Sequence, residues 1–284
     1  MKKPQWITAG IALLLITGLF ALTQDGIFGY HPKKIEAANP FPSAINTIDS
    51  ILHHAKQNLS SEQLTKLNFL ENSITRGDVE GQKVHVLHQL SRYWRDSIRL
   101  FEPFAWYNGE AARLESSEKS LTFAAQLFLN NLKTEGNLAL KTWKALQAKD
   151  LFERSLKLNP TNDSAQIGLG ATYLYSSVAN NPMEGILKIR QVVEKDSTNV
   201  YALMTLGEAS ILSGQSDKAI ERFVKVVELQ PANLEAMLSL ADIHERDGNK
   251  KEAIKWYQRS LSLINIPGLR KEVEIRIKDL NKRN

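Results

Sequence analysis

The chain has 284 residues and a formal charge of +5, with 43% hydrophobic and 24% charged residues, enough apolar material for one extended repeat domain or two small globular ones. Its positive excess falls in short clusters, Lys2 with Lys3, Lys33 with Lys34 and the tail from Arg270 to Arg283. No basic stripe or reading motif accompanies them, which argues against nucleic acid as a partner. The absence of cysteine excludes thiolate catalysis, cysteine zinc sites, disulfides and c-type haem attachment.

Residues 1–5 are short and carry Lys2 and Lys3; residues 6–22, WITAGIALLLITGLFAL, are uncharged. At ~1.5 Å of rise per residue such a run spans roughly 26 Å, close to the hydrocarbon thickness of a thin bilayer. Nine of its seventeen residues are Leu, Ile or Phe, and at about −0.3 to −0.6 kcal/mol each they favour insertion. A single transmembrane helix in contact with lipid is therefore expected over 6–22. A cleaved signal peptide is the alternative, with Ala21-Leu22-Thr23 as a poor cleavage site. Positive charge before the run predicts a cytoplasmic N-terminus, with the bulk of the chain outside, periplasmic if the membrane is a bacterial inner membrane. Residues 23–42 hold Gly26, Gly29, Pro32, Pro40 and Pro42 and read as an extended linker.

Residues 43–136 read as helices joined by short turns. Ile45, Ile48, Ile51, Leu52 and Leu59 mark a first helix, and Leu64, Leu67, Leu70 and Ile74 a second. A third is expected from Val79 to Leu100, stopped before Pro103, and a fourth over 118–132. They read as diverged continuations of the repeats that follow, with a separate helical subdomain as the alternative.

Over residues 137–266 the chain repeats itself. Leu203, Leu206, Gly207, Ala219, Phe223 and Leu229 recur thirty-four residues on as Met237, Leu240, Ala241, Ala253, Tyr257 and Leu263. Each set divides into two helices with a Gly-containing turn between them, Gly214-Gln215 and Gly248-Asn249. Small residues belong where helices cross closely, and the large Phe223 and Tyr257 fill the gap toward the next repeat. An earlier copy holds Leu169, Gly170, Tyr173, Gly185, Ile189 and Val192. Before it, Ala148, Phe152, Leu156 and Pro160 end a second-helix half. Residues 267–284 predict a terminal helix with Leu269, Val273, Ile277 and Leu280 on one stripe, capping the open end.

These positions resemble the tetratricopeptide repeat family. The resemblance implies an all-α fold, a right-handed α-solenoid of paired antiparallel helices, here preceded by the single transmembrane helix. It also implies a concave groove lined by the first helix of each pair. The groove positions map onto Ile167, Ala171, Leu174 and Tyr175, then Tyr201, Met204, Glu208, Ile211 and Leu212, then Glu235, Leu238, Asp242, Glu245 and Arg246. Two of these sets are largely apolar and the third is mostly acidic, which suits an amphipathic partner helix with a basic end. The same apolar side chains can instead pack against the neighbouring repeat or the chain's own N-terminal helices. Members of the family that grip a C-terminal carboxylate use Lys, Asn and Arg in this groove, and the matching positions here lack them.

No catalytic centre, cofactor site or metal site is legible. His85 with His88 and the pair His53-His54 are the best metal candidates, but no HExxH accompanies them. No Ser stands in a nucleophile elbow and no glycine run cradles a phosphate. The chain is expected to be a non-enzymatic, membrane-anchored scaffold for protein or peptide partners in a bacterial envelope. A self-associating structural protein is one alternative, and an assembly factor resembling the repeat modules of cytochrome c maturation is another.

Overall fold

The computed structural model describes residues 47–76, 80–176, 178 and 181–282. The expected transmembrane run 6–22, its flank 1–5 and the linker 23–42 lie outside the described residues. Among the described residues no helix is long and apolar enough to cross a membrane.

Thirteen helices follow one another in the described part: α1 Ile48–Gln57, α2 Ser61–Arg76, α3 Glu80–Tyr93, α4 Phe101–Glu115, α5 Glu118–Leu132, α6 Leu138–Leu158, α7 Asp163–Tyr175, α8 Pro182–Lys195, α9 Val200–Leu212, α10 Ser216–Leu229, α11 Leu234–Arg246, α12 Lys250–Leu261 and α13 Pro267–Lys282. The strongest packing joins α3 to α4, α5 to α6, α7 to α8, α9 to α10 and α11 to α12. The second helix of each pair then meets the first helix of the next, and α5, α7 and α9 also touch in sequence. This nearest-neighbour pattern is a helical solenoid, in which each pair buries its apolar faces only against adjacent pairs.

The first helices start on a recurring cap. Asn162, Asn199 and Asn233 each sit in an extended conformation, and each side-chain oxygen accepts from the backbone N–H three residues on. That bond satisfies one of the donors a helix start leaves open. α2 uses a reciprocal version: the Ser60 N–H donates to Gln63, and the Gln63 N–H donates to the Ser60 hydroxyl. Asn162 does more than its equivalents, because its amide also donates to Glu118 at 2.6 Å and to Thr122 at 3.0 Å on α5. Asn199→Ala is expected to cost about 1 kcal/mol, the usual cap loss, and Asn162→Ala distinctly more. Chemical denaturation of the two variants checks the ranking; equal losses would make the α5 contacts idle.

One core cluster runs from Ile51 on α1 to Tyr173 on α7. Residues 47–136 therefore share their core with the first clear repeat. α5 and α6 pair across residue 137, so the stack continues through that point. Two further clusters fill α7–α9 and α9–α13. In the last, Val273 and Leu280 of α13 lie buried on the end of the stack, with Leu269 and Ile277 half-covered.

The helix expected from Val79 to Leu100 is helical from Glu80 to Ile98 among the described residues: Tyr93, in the right-handed helical conformation, leads from α3 into a π-helical turn Trp94–Ile98, and Arg99 ends it in a left-handed conformation at φ 62°. Pro103 lies in the first turn of α4, where proline's missing N–H has no helical partner to lose.

Small residues set the helix crossings, as the spacing predicts. At Gly207 an added Cβ would lie 2.6 Å from the Phe223 ring, so the space belongs to that ring. Phe223 is fully buried in the cluster that also holds Met237 and Leu240 of the following repeat.

Candidate functional site

The face built by α5, α7, α9 and α11 carries the expected groove positions. Its curvature shows in two bonds that leap over α7. Lys133, at the end of α5, reaches Glu208 on α9 at 2.8 Å, and the Tyr201 hydroxyl on α9 donates to Gln126 on α5 at 3.2 Å. Helices flanking a third can meet in this way only when the face is concave. Tyr175 on α7 completes the bridge: its hydroxyl donates to Glu208, and the Lys133 ammonium lies 4.9 Å from the centre of its ring. Burial, with Glu208 close by, pushes the Tyr175 hydroxyl up, and burial does the same for Tyr201. Both stay protonated donors near neutrality.

The bridge spans α7. On that helix Ile167 and Ala171 are each 1% exposed, and Ile167 packs in a small cluster with Ile189 and Val192 of α8 and Ala202 and Leu206 of α9. Ile167 is corrected from a groove contact to a core residue. Met204 is corrected likewise, since it is 8% exposed and packs in the α9–α13 cluster. In both cases the inward stripe of a first helix meets its neighbours before it meets solvent, because the face bends toward itself. Leu174, Tyr175, Tyr201, Glu208 and Ile211 remain half-buried on the surface.

The other half of the face is open. Leu212 is 65% exposed at the end of α9. On α11 Glu235, Leu238, Asp242 and Glu245 fall at intervals of three and four residues, and so share one stripe. Glu235 and Asp242 are exposed, and Leu238 and Glu245 half-buried. The Tyr257 hydroxyl, coming from α12, lies 2.5 Å from Asp242 and 2.8 Å from Glu245 and shares its one proton between them. Arg276 of α13 joins Glu245 at 2.8 Å. Arg246 turns toward Ser216 and Asp247.

Glu208 and Asp242 occupy the same position in successive repeats, thirty-four residues apart, and each is met by a tyrosine hydroxyl. The tyrosines come from different directions, from the preceding pair for Glu208 and from the same pair for Asp242. Lys133 and Gln126 were not among the expected groove residues. They belong to α5, where no repeat register is readable, so only the folded stack brings them to α9.

The histidines take separate partners. His88 pairs with Glu115 at 2.6 Å, His85 lies 3.0 Å from the Gln89 amide, and His53 lies 3.2 Å from Gln57. Among the described residues no three His, Asp or Glu side chains converge in a metal-holding group. A buried ionic cluster, missed in the sequence, joins α4 and α6. Lys144 on α6 is 1% exposed and pairs with Glu102 and Glu135.

The repeats and their concave face define a tetratricopeptide-type solenoid, and residues 204–268 match the tetratricopeptide repeat family model. Among curated proteins, BBSome complex member BBS4 of Mus musculus is 29% identical over 111 residues, 39% of this chain and 21% of that protein. The protein of the same name from Bos taurus is 23% identical over 168 residues, 59% of this chain and 28% of that protein. The chain therefore spans well under a third of the length of these relatives. Among solved structures, TTC0263, a thermophilic TPR protein of Thermus thermophilus, aligns with a TM-score of 0.50 and 14% identity, covering 69% of this chain and 98% of that one. That likeness is one of fold.

Proposed function

We propose that the chain is a non-catalytic scaffold that holds a segment of another protein against its concave face, tethered to a membrane by residues 6–22. The observation that carries this reading is the open half of that face. There Leu212 stands exposed at the end of α9, Ile211 and Leu238 are half-buried, and the carboxylates Glu235 and Asp242 are exposed on α11. An apolar strip edged by charge fits an amphipathic segment, and each apolar anchor it buries contributes ~1.5–3 kcal/mol. The apolar run before the linker supports the tether, and the lysines preceding that run support an extracytoplasmic, periplasmic placement of the repeats.

A photocrosslinking residue placed at Leu212 in the full chain, in its own cells, tests both parts. It is expected to trap a discrete partner, whereas the same residue at Leu146, half-exposed on α6, traps none. Equal capture from both positions, or from neither, overturns the groove. After an alkaline wash the chain is expected to stay with the membranes; its release overturns the tether.

A further inference from the structure

The bridged and open halves of the concave face differ in charge. Over α7 the carboxylate of Glu208 is answered by the ammonium of Lys133. Along α11 the balance is negative. Glu235, Asp242 and Glu245 line the stripe, Glu272 of α13 acts on Asp242 from the far side, and Arg276 is the cation that faces them. Arg246, the other cation of α11's last turn, is engaged away from the stripe with Ser216 and Asp247. Asp242 is exposed as a residue, but its carboxyl sits against the Tyr257 hydroxyl, and the local loss of water there raises it above the ordinary range, with Glu245 and Glu272 pushing in the same direction. The Tyr257 hydrogen bond and Arg276 oppose them.

Glu235 stands apart from this group. It is exposed, and among the described residues it makes no hydrogen bond or ion pair. It forms the rim of an open depression lined by Gln230, Pro231, Ala232, Asn233 and Leu234 at the head of α11. Its charge adds slightly to what raises the Tyr175 hydroxyl. Carboxylates thus extend from the depression down α11, with Leu238 between them and Leu212 on the neighbouring first helix.

We propose that the occupant of this half-groove is a lysine- or arginine-bearing amphipathic segment of another protein, lying along α11 with its cationic side chains on Glu235 and Asp242 and its apolar side chains on Leu212 and Leu238. The segment stops at the bridge of Lys133, Tyr175 and Glu208, which spans α7. This rests on the scaffold reading above and adds the chemistry of the partner to it. Charge complementarity of this exposed kind governs selectivity and encounter rate more than total affinity, and salt screens it.

The test uses the purified full chain in mild detergent and three labelled peptides with one apolar pattern, whose charged positions are all lysine, all glutamine or all glutamate. Fluorescence anisotropy is expected to rank lysine above glutamine by on the order of tenfold, with glutamate weakest. Glu235→Gln together with Asp242→Asn is expected to remove that lysine preference, bringing the lysine peptide down to the glutamine peptide. Both replacements keep side-chain shape, and Asn retains an acceptor for Tyr257. Leu212→Asp is expected to weaken all three peptides.

Equal binding of the lysine and glutamine peptides, lost on Leu212→Asp, would leave the groove in use and overturn the cationic partner. A lysine preference that survives the double replacement would place the attraction elsewhere and overturn the site. Association of the chain with itself, competed away by the lysine peptide, would make the occupant a second copy. Binding of none of the peptides, joined to no capture at Leu212, would remove the scaffold reading itself.

Discussion

Replacing Lys144 with methionine is expected to destabilise the chain by about 3–5 kcal/mol, the loss that follows when one partner of a buried ionic cluster is removed. The side chain is 1% exposed, and its ammonium lies 2.7 Å from Glu102 and 2.5 Å from Glu135. Its Nζ also sits 5.4 Å from the centre of the Phe101 ring. Glu102 gains support from the N-terminal end of α4, where it stands in the first turn. Glu135 accepts the Asn137 N–H at 2.6 Å as α6 begins. These contacts help each carboxylate, but neither neutralises the other. Without Lys144 two like charges face each other inside the protein, each having given up water for a partner that has gone.

A domain of ordinary stability has about 5–15 kcal/mol in hand, so the loss consumes a large part of it. In a solenoid it also falls locally, because distant repeats do not share the core. Trp94, Trp106 and Trp143 lie on the affected side and Trp256 on α12. Unfolding followed by tryptophan emission is therefore expected to split into an early phase from α4–α6 and a later one from α9–α12. Glu102→Met with Glu135→Gln, added to Lys144→Met, is expected to restore most of the stability, since an apolar substitute needs no counter-charge. A loss below about 1 kcal/mol for Lys144→Met alone would mean that water reaches the carboxylates.

Lys144 also illustrates why part of the molecule was illegible. On one helix a lysine surrounded by Thr142, Trp143 and Ala145 looks like a solvated position with apolar neighbours. Its burial depends on Glu102 and Glu135, which reach it from α4 and from the turn before α6. The repeats from α7 to α12 were readable because each residue's partner lies within the same thirty-four or thirty-seven residues. Gly207 and Phe223 meet within a pair, and the Asn caps act three residues ahead. Periodicity carries that kind of information.

It does not carry contacts that cross repeats. The groove positions were assigned by register, and register gives the face without saying how far the face closes. Lys133 and Gln126 reach α9 from seventy-five residues away, and Ile167 is buried against α8 and α9. The end of the helix at Arg99 was blurred for another reason. Proline reads as a stop when the start of the next helix is not recognised, and Leu100 offers no side-chain cap to mark it.

Gly185→Ala is the second substitution with a large expected effect, and its sign has to be argued. Alanine in a helix interior is worth about 1 kcal/mol over glycine, and in the two following repeats alanine stands at the equivalent places, Ala219 and Ala253. By analogy the change looks stabilising. The geometry says the reverse. A Cβ built on Gly185 would lie 2.4 Å from the Gly170 carbonyl oxygen and 3.1 Å from Cβ of Tyr173. Carbon and carbonyl oxygen normally approach no closer than about 3.3 Å, and the obstacle is backbone that cannot rotate aside.

The three repeats have solved one crossing in different ways. α7 and α8 place Gly170 against Gly185 with the smaller Ile189 beside them, and the backbones touch. α9 and α10 use Gly207, Ala219 and a phenylalanine whose ring fills the glycine's space. α11 and α12 use Ala241, Ala253 and Tyr257, all fully or almost fully buried. Importing the alanine into the first arrangement forces α7 and α8 apart, opening space around Ile189 and Val192.

Overpacking of this kind costs ~1–3 kcal/mol, so a net loss of up to about 2 kcal/mol is expected after the gain in helix propensity. Gly268→Ala on α13, where a Cβ meets nothing within 4 Å, is expected to hold or raise stability by up to about 1 kcal/mol. Hydrogen exchange should place the Gly185 loss in α7 and α8 and leave α11 and α12 protected, as nearest-neighbour stacking requires. If Gly185→Ala stabilised the chain as Gly268→Ala does, the α7–α8 crossing would have slack to separate, and the bridge from Lys133 to Glu208 would no longer span a fixed distance above it.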